Sequence, residues 1–198
     1  MRKNKEIKVK SLSKIGDRGV RVKSNALKGK DIAVAICGGI ASVESVKIIR
    51  ELRRHEANIT AFYTPEVTKF ITELPVAWAS GKSVITEAEA QVEHLESYDL
   101  VLVVPATLNT ISKSALGLAD NVVTLLIASQ IGKKGKLLFV PTMNGSLWKH
   151  PLFLDYQKTL ESWGAQFLLS QEEEERIKIP DPEKIAETVS AILGVKSE

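Results

Sequence analysis

One cysteine in 198 residues is too few for a disulfide framework or a multi-cysteine metal site, so no metal is expected and a reducing compartment, the cytoplasm, is. No apolar stretch reaches the ~18 to 20 residues of a membrane span, and the N-terminus lacks the apolar core of a secretory signal. A soluble protein with no membrane partner is the expectation. Two further absences exclude nucleotide chemistries. Gly38-Gly39 lacks the third glycine of the dinucleotide fingerprint, and "GKS" at 81 to 83 has Val76 where a triphosphate loop needs its first glycine.

What is present is enough for a core. At 44% hydrophobic content the chain supports one domain, with an appendage at most. The appendage shows in the charge. Residues 1–30 carry eleven Lys/Arg against Glu6 and Asp17, so the formal net charge of +3 leaves the rest acidic by six. Clustered basic charge supplies generic phosphate affinity, yet we read 1–30 as a basic, partly ordered extension rather than a nucleic-acid arm, and 31–198 as a single domain.

From residue 31 onward, short apolar runs alternate with longer amphipathic ones. That pattern predicts an α/β fold, a doubly wound, Rossmann-like or flavodoxin-like mostly parallel sheet with helices on both faces. "DIAVAIC", "ANITAFY", the wholly apolar "LVLVV", "KLLFVP" and "AQFLL" read as strands. Val43, Val46, Ile49 and Leu52 predict a helix from Ala41 to Arg54. Further helices are expected in "EVTKFITEL", on both sides of Gly117, in "FLDYQKTLESW" with Gly164 as its cap, and in "PEKIAETVSAIL". "EEEE" at 172–175 reads as a solvated turn.

Ligands of such sheets collect outside the carboxyl ends of the strands. There the chain reads "CGGIAS", "TPEVTKF", "PATLNT" and "PTMNGSLW". Two glycines between a strand and a helix let backbone N–H groups converge on an anion, and a phosphate fits; a tight turn without a ligand is the plainer alternative. Asn109 and two threonines put polar groups on a loop where packing requires none. Met143 offers a soft apolar surface, Asn144 an amide and Trp148 a flat face, though a helix cap and a core position are the structural readings of the last two.

With these four segments in order, residues 31 to about 169 resemble the homo-oligomeric flavin-containing cysteine decarboxylases, which include phosphopantothenoylcysteine decarboxylase and the peptidyl-cysteine decarboxylases of lantibiotic maturation. "CGGIAS" is similar to the family's flavin phosphate turn and "TPEVTKF" to its second flavin contact. "PATLNTISKSALGLADN" and "PTMNGSLWKHP" are similar to its two signatures. The resemblance implies FMN held by Gly38, Gly39, Ile40, Ala41 and Ser42 at the phosphate and by Thr64 and Phe70 along its length. Pro105, Ala106, Thr107, Asn109, Thr110 and Met143 complete the implied cofactor site. It also implies a homotrimer or homododecamer, with Asp120 and Asn121 near a seam.

The chemistry implied is oxidation of a cysteine side chain to a thioaldehyde, after which the adjacent carboxylate leaves as carbon dioxide. His94 is the implied catalytic histidine and Asn144 the implied carboxylate holder. The chain departs from the family pattern at three places. "HLESYD" supplies about three residues fewer between histidine and strand, Leu147 replaces a methionine, and "SQEEEERIKIPDP" stands where coenzyme A members carry a cysteine-glycine clamp. Alternatives are a flavin-dependent reductase or prenyltransferase-like enzyme, or a non-catalytic flavin-binding regulatory protein.

Overall fold

The computed structural model describes residues 19–87, 97–170, 172–173 and 176–195. Among them, strands β1 (Asp31–Ile36), β2 (Asn58–Tyr63), β3 (Leu100–Ala106), β4 (Lys136–Pro141) and β6 (Ala165–Phe167) form a parallel sheet ordered β2-β1-β3-β4-β6. The order reverses between β1 and β3. A crevice opens outside the carboxyl ends at such a reversal.

Every residue of β3 is buried, as its unbroken apolar run requires of a central strand. Alternation then divides the core. Ile32, Val34, Ile36, Leu102 and Val104 pack with α1 (Ser45–Arg54), α2 (Glu73–Ser80) and α7 (Pro182–Leu193). Ala33, Ala35, Val101, Val103 and Phe139 pack with α3 (Leu108–Ala115), α4 (Val122–Gly132) and α6 (Phe153–Ser162) on the other face. Gly164, at φ +95°, allows the sharp return from α6 into β6.

Residues 19–30 lie against α1 and α7. Lys23 N and Leu27 N donate to Arg54 O and His55 O at 2.7 and 2.8 Å, and Lys23 Nζ reaches Glu51 and Glu183. No helix among the described residues is long and apolar enough to cross a membrane.

Three local expectations are corrected. The helix after β1 starts as a 3-10 turn, Ile40–Glu44, and becomes α-helical only at Ser45, so Val43 is 40% exposed rather than buried. "EVTKFITEL" is not one helix: Pro65–Lys69 is a 3-10 turn, and α2 begins at Glu73 and carries Pro75 in its first turn, where a missing N–H costs nothing. Half of the acidic run is strand rather than turn, Glu174 and Glu175 lying outside the described residues. β7 (Glu172–Glu173) pairs antiparallel with β8 (Arg176–Ile177), which pairs with β5 (Met143–Asn144). Helical spacing cannot see a pairing partner supplied from thirty residues away.

Candidate functional site

A cleft of about 670 Å³ lies at the carboxyl ends of β1, β3 and β4, over the point where strand order reverses. Its floor and walls come from Gly38–Ala41 and Glu44 after β1, Pro105 and Thr107 after β3, Thr142–Asn144 after β4, Leu147, and Lys178 and Ile179 beyond β8. Pockets of this size hold a drug-sized or cofactor-sized ligand.

The turn after β1 is set by close packing. A Cβ on Gly38 would stand 2.4 Å from Glu66 Cβ, so the 3-10 turn after β2 can approach only a glycine here. Gly38 N donates to Thr64 Oγ1 at 3.0 Å, which ties the turn to the end of β2. Gly39 is different: its φ of 177° is open to any residue, and a Cβ there would meet nothing nearer than Thr107 Cγ2 at 3.9 Å. Its bareness leaves space in the cleft. Ser42 is fully buried, its N–H donates to Gly39 O at 2.9 Å, and its Oγ has no partner. An unpartnered buried hydroxyl beside an uncharged turn at the head of a helix fits a phosphate group.

After β3, Thr107 caps α3, accepting from Thr110 N at 3.4 Å. Cys37 lies behind this loop, fully buried, against the Thr110 side chain and the Thr107 backbone. Burial pushes its thiol up to about 11, and those two hydrogen bonds offset only part of that rise. It is an inert core thiol. After β4, Asn144 caps the single turn α5 (Gly145–Trp148), its Oδ1 accepting from Leu147 N at 2.9 Å. That bond settles the amide orientation, so the NH₂ group is the end left to a ligand.

Electrostatically the cleft is nearly bare. Glu44 is held by Lys47 at 2.8 Å, and Lys178 sits exposed on the rim.

The cleft brings together Gly38, Gly39, Ile40, Ala41, Pro105, Thr107, Met143 and Asn144. Ser42, Thr64, Ala106 and Thr110 are buried behind it. Phe70, 42% exposed at the end of its 3-10 turn, and exposed Asn109 are not part of its lining. His94 lies outside the described residues. Trp148 packs against Phe153 with centroids 4.5 Å apart and ring planes tilted by 42°, a packing position rather than a ligand face. Asp120 pairs with Lys113, and Asn121 caps α4 through Val123 N and Thr124 N. Sequence reasoning missed Glu44, Thr142, Leu147, Lys178 and Ile179 as wall residues. Thr142 stood in plain view inside "PTMNGSLW"; Lys178 and Ile179 reach the cleft because β8, which they follow, pairs with β5.

A model of the family described as Flavoprotein matches residues 20–194. The chain is 37% identical over 182 residues to the coenzyme A biosynthesis bifunctional protein CoaBC of Thermococcus kodakarensis, a match covering 88% of this chain and 45% of that protein. It is 31% identical over 175 residues to the same-named protein of Methanocaldococcus jannaschii, covering 87% and 43%. The chain thus spans less than half the length of these relatives. Among solved structures, the FMN-dependent cysteine decarboxylase SpaF superposes with a TM-score of 0.74 at 19% identity, over 84% of this chain and 97% of that one. A cysteine-to-serine mutant of PPC decarboxylase complexed with pantothenoylaminoethenethiol gives 0.74 at 18%, over 83% and 98%. At these identities the structures establish a shared fold.

Proposed function

The chain belongs to the flavoprotein family, and from that premise we propose that it binds FMN in the cleft between β1, β3 and β4 and decarboxylates a cysteine-containing substrate. The observation that carries the reading is the turn Gly38–Ser42: uncharged, tied down by Thr64, and holding a buried hydroxyl with no partner, beside a cofactor-sized cleft that Asn144 also lines. Phosphopantothenoylcysteine and peptides ending in cysteine are the substrate classes.

Each wall has a task. Backbone N–H groups of the uncharged turn Gly38–Ser42 and the positive end of the helix that follows hold a phosphate dianion, while Glu44, the acidic residue of the lining, is paired with Lys47. Pro105 and Met143, both buried, give the ring end of the cofactor an apolar wall and keep water out. Bound FMN supplies the two-electron oxidation that protein side chains cannot. Asn144, with Oδ1 spent on its cap, donates from Nδ2 to the substrate carboxylate. A neutral donor orients that group with less charge stabilisation than a lysine or arginine gives, so less is lost when it leaves as neutral carbon dioxide. His94 moves a proton near neutrality in this scheme.

We further propose a cytoplasmic homotrimer or homododecamer. Exposed Ile40 (72%) on the cleft lip, with Phe70 and Leu74 on the neighbouring segment, supports a covering subunit. The test is an absorbance spectrum of the purified protein with mass analysis of the released chromophore, then incubation with phosphopantothenoylcysteine and cysteine-terminated peptides. Flavin bands, the mass of FMN and substrate losing the mass of carbon dioxide are expected. A colourless protein that takes up no added FMN would overturn the reading.

A further inference from the structure

Among the described residues three buried side-chain nitrogen or oxygen atoms have no hydrogen-bond partner: Ser42 Oγ, Arg50 Nη1 and Thr142 Oγ1. Two of the three are hydroxyls in the segments that frame the cleft, one after β1 and one after β4. The serine answers to the phosphate end of the proposed cofactor. The threonine has no such assignment, and its surroundings show that its position is held firmly.

Thr142 lies between Pro141, the last residue of β4, and Met143, the first of β5. Its N–H donates to Ala106 O at 3.1 Å, beside the Ala106–Pro141 pairing, and Met143 pairs with Ile177 of β8. Both neighbours are therefore fixed, one in each sheet. The residue forms part of the cleft lining while its Oγ1 is shut off from water. A step between staggered χ1 wells, about 120°, brings Oγ1 to a place now held by another substituent of Cβ. A buried hydroxyl without a partner is unusual enough in a folded protein to ask for one. β4 lies two strands from β1, roughly 10 Å across the sheet, so a phosphate seated on the Gly38–Ser42 turn leaves Thr142 to the opposite, ring end of the cofactor.

We propose that Thr142 is a cofactor-binding residue whose hydroxyl donates a hydrogen bond to an acceptor atom of the flavin ring. The inference rests on the FMN reading above. It adds a specific polar contact to an otherwise apolar end of the cleft.

The test compares wild type, Thr142→Val and Thr142→Ser by fluorescence titration with FMN, by the visible spectrum of the bound flavin, and by thermal unfolding of the flavin-free full chain. Thr142→Val, which keeps the shape and loses the hydroxyl, weakens FMN binding about three- to tenfold and shifts the visible bands; Thr142→Ser stays within about twofold of wild type. The flavin-free Thr142→Val chain melts at or above the wild-type temperature, because a buried group without a partner has been removed. Affinity and stability thus move in different directions, which a purely structural hydroxyl does not produce. Wild-type affinity and spectrum in Thr142→Val would overturn the proposal. So would a loss in Thr142→Ser equal to that in Thr142→Val, or a lower melting temperature of flavin-free Thr142→Val. A wild-type chain that binds no FMN would overturn this proposal together with the reading beneath it.

Discussion

Lys23 Nζ stands 2.6 Å from Oε1 of Glu51, a carboxylate that is 1% exposed, and so pins the segment before β1 to the middle of α1. Arg54 Nη1 holds the other carboxylate oxygen at 2.6 Å, and Lys23 also reaches Glu183 on α7 at 3.2 Å. Lys23, shared between buried Glu51 on α1 and exposed Glu183 on α7, therefore joins three parts of the chain on that side.

Glu51→Gln keeps the shape and removes the charge, and should lower stability by about 1 to 3 kcal/mol by denaturant unfolding. The cost stays below that of a fully buried pair because both cations are more than a third exposed and return to water. Burial by itself would raise the Glu51 pKa; hydrogen bonds and charge from Lys23 and Arg54 outweigh it, and the net shift is downward from 4.5. A depressed carboxylate stabilises above its unfolded pKa and loses that contribution as pH falls through the folded value. Lys23 is shifted the other way, upward from 10.5, chiefly by its hydrogen bond to Glu51, so its share is lost as pH rises through the folded value. The wild type minus Glu51→Gln stability difference should be flat at neutral pH and shrink at both extremes. A difference that grows below pH 4 would sink this account.

Gly38 and Gly39 should respond differently to the same methyl group. Gly38→Ala drives a Cβ against Glu66 at 2.4 Å and should cost about 1 to 3 kcal/mol and disrupt FMN binding together. Gly39→Ala has room in the fold, with its nearest neighbour at 3.9 Å, but adds a Cβ to the cleft lining. Its melting temperature should match wild type within about 2 °C, while its affinity for FMN falls. Melting curves with and without FMN separate the two.

Cys37 should resist alkylation in the native protein and react fully on unfolding, as read by intact mass after iodoacetamide treatment at pH 8. Its burial and a thiol raised to about 11 both leave little thiolate. Cys37→Ala should retain decarboxylation within about threefold while losing about 1 to 2 kcal/mol of stability to the cavity. Abolished activity with normal FMN binding would give the thiol a chemical role.

Asn144→Asp separates the cap from the chemistry. An aspartate caps α5 as well as the asparagine does, so folding and FMN affinity should change little. It presents a like charge to the substrate carboxylate, and kcat/KM should fall by at least about 100-fold. Steady-state kinetics beside an FMN titration decide the matter; a fall in FMN affinity with unchanged kcat/KM would place Asn144 on the cofactor.

The parallel sheet was legible because its strands are buried on both faces: "LVLVV" and "KLLFVP" tolerate no other reading once flanked by amphipathic segments. The turns after β1, β3 and β4 were legible as site segments because a strand end is where ligands gather. Ser42 was legible as a residue type, but its missing partner was not, since hydrogen bonding to Oγ depends on atoms from elsewhere in the chain.

Sequence by itself determined the sheet and the placing of polar loops at its carboxyl edge, because each follows from periodicity or composition within a short window. Only the tertiary structure decided that Gly38 answers to Glu66 across a crossover, that Glu172–Glu173 pair with a strand laid on Met143–Asn144, and that Lys178 and Ile179 close one wall of the cleft. Those are contacts between residues far apart in the chain. Their energies come from close packing and strand pairing, which no local pattern encodes.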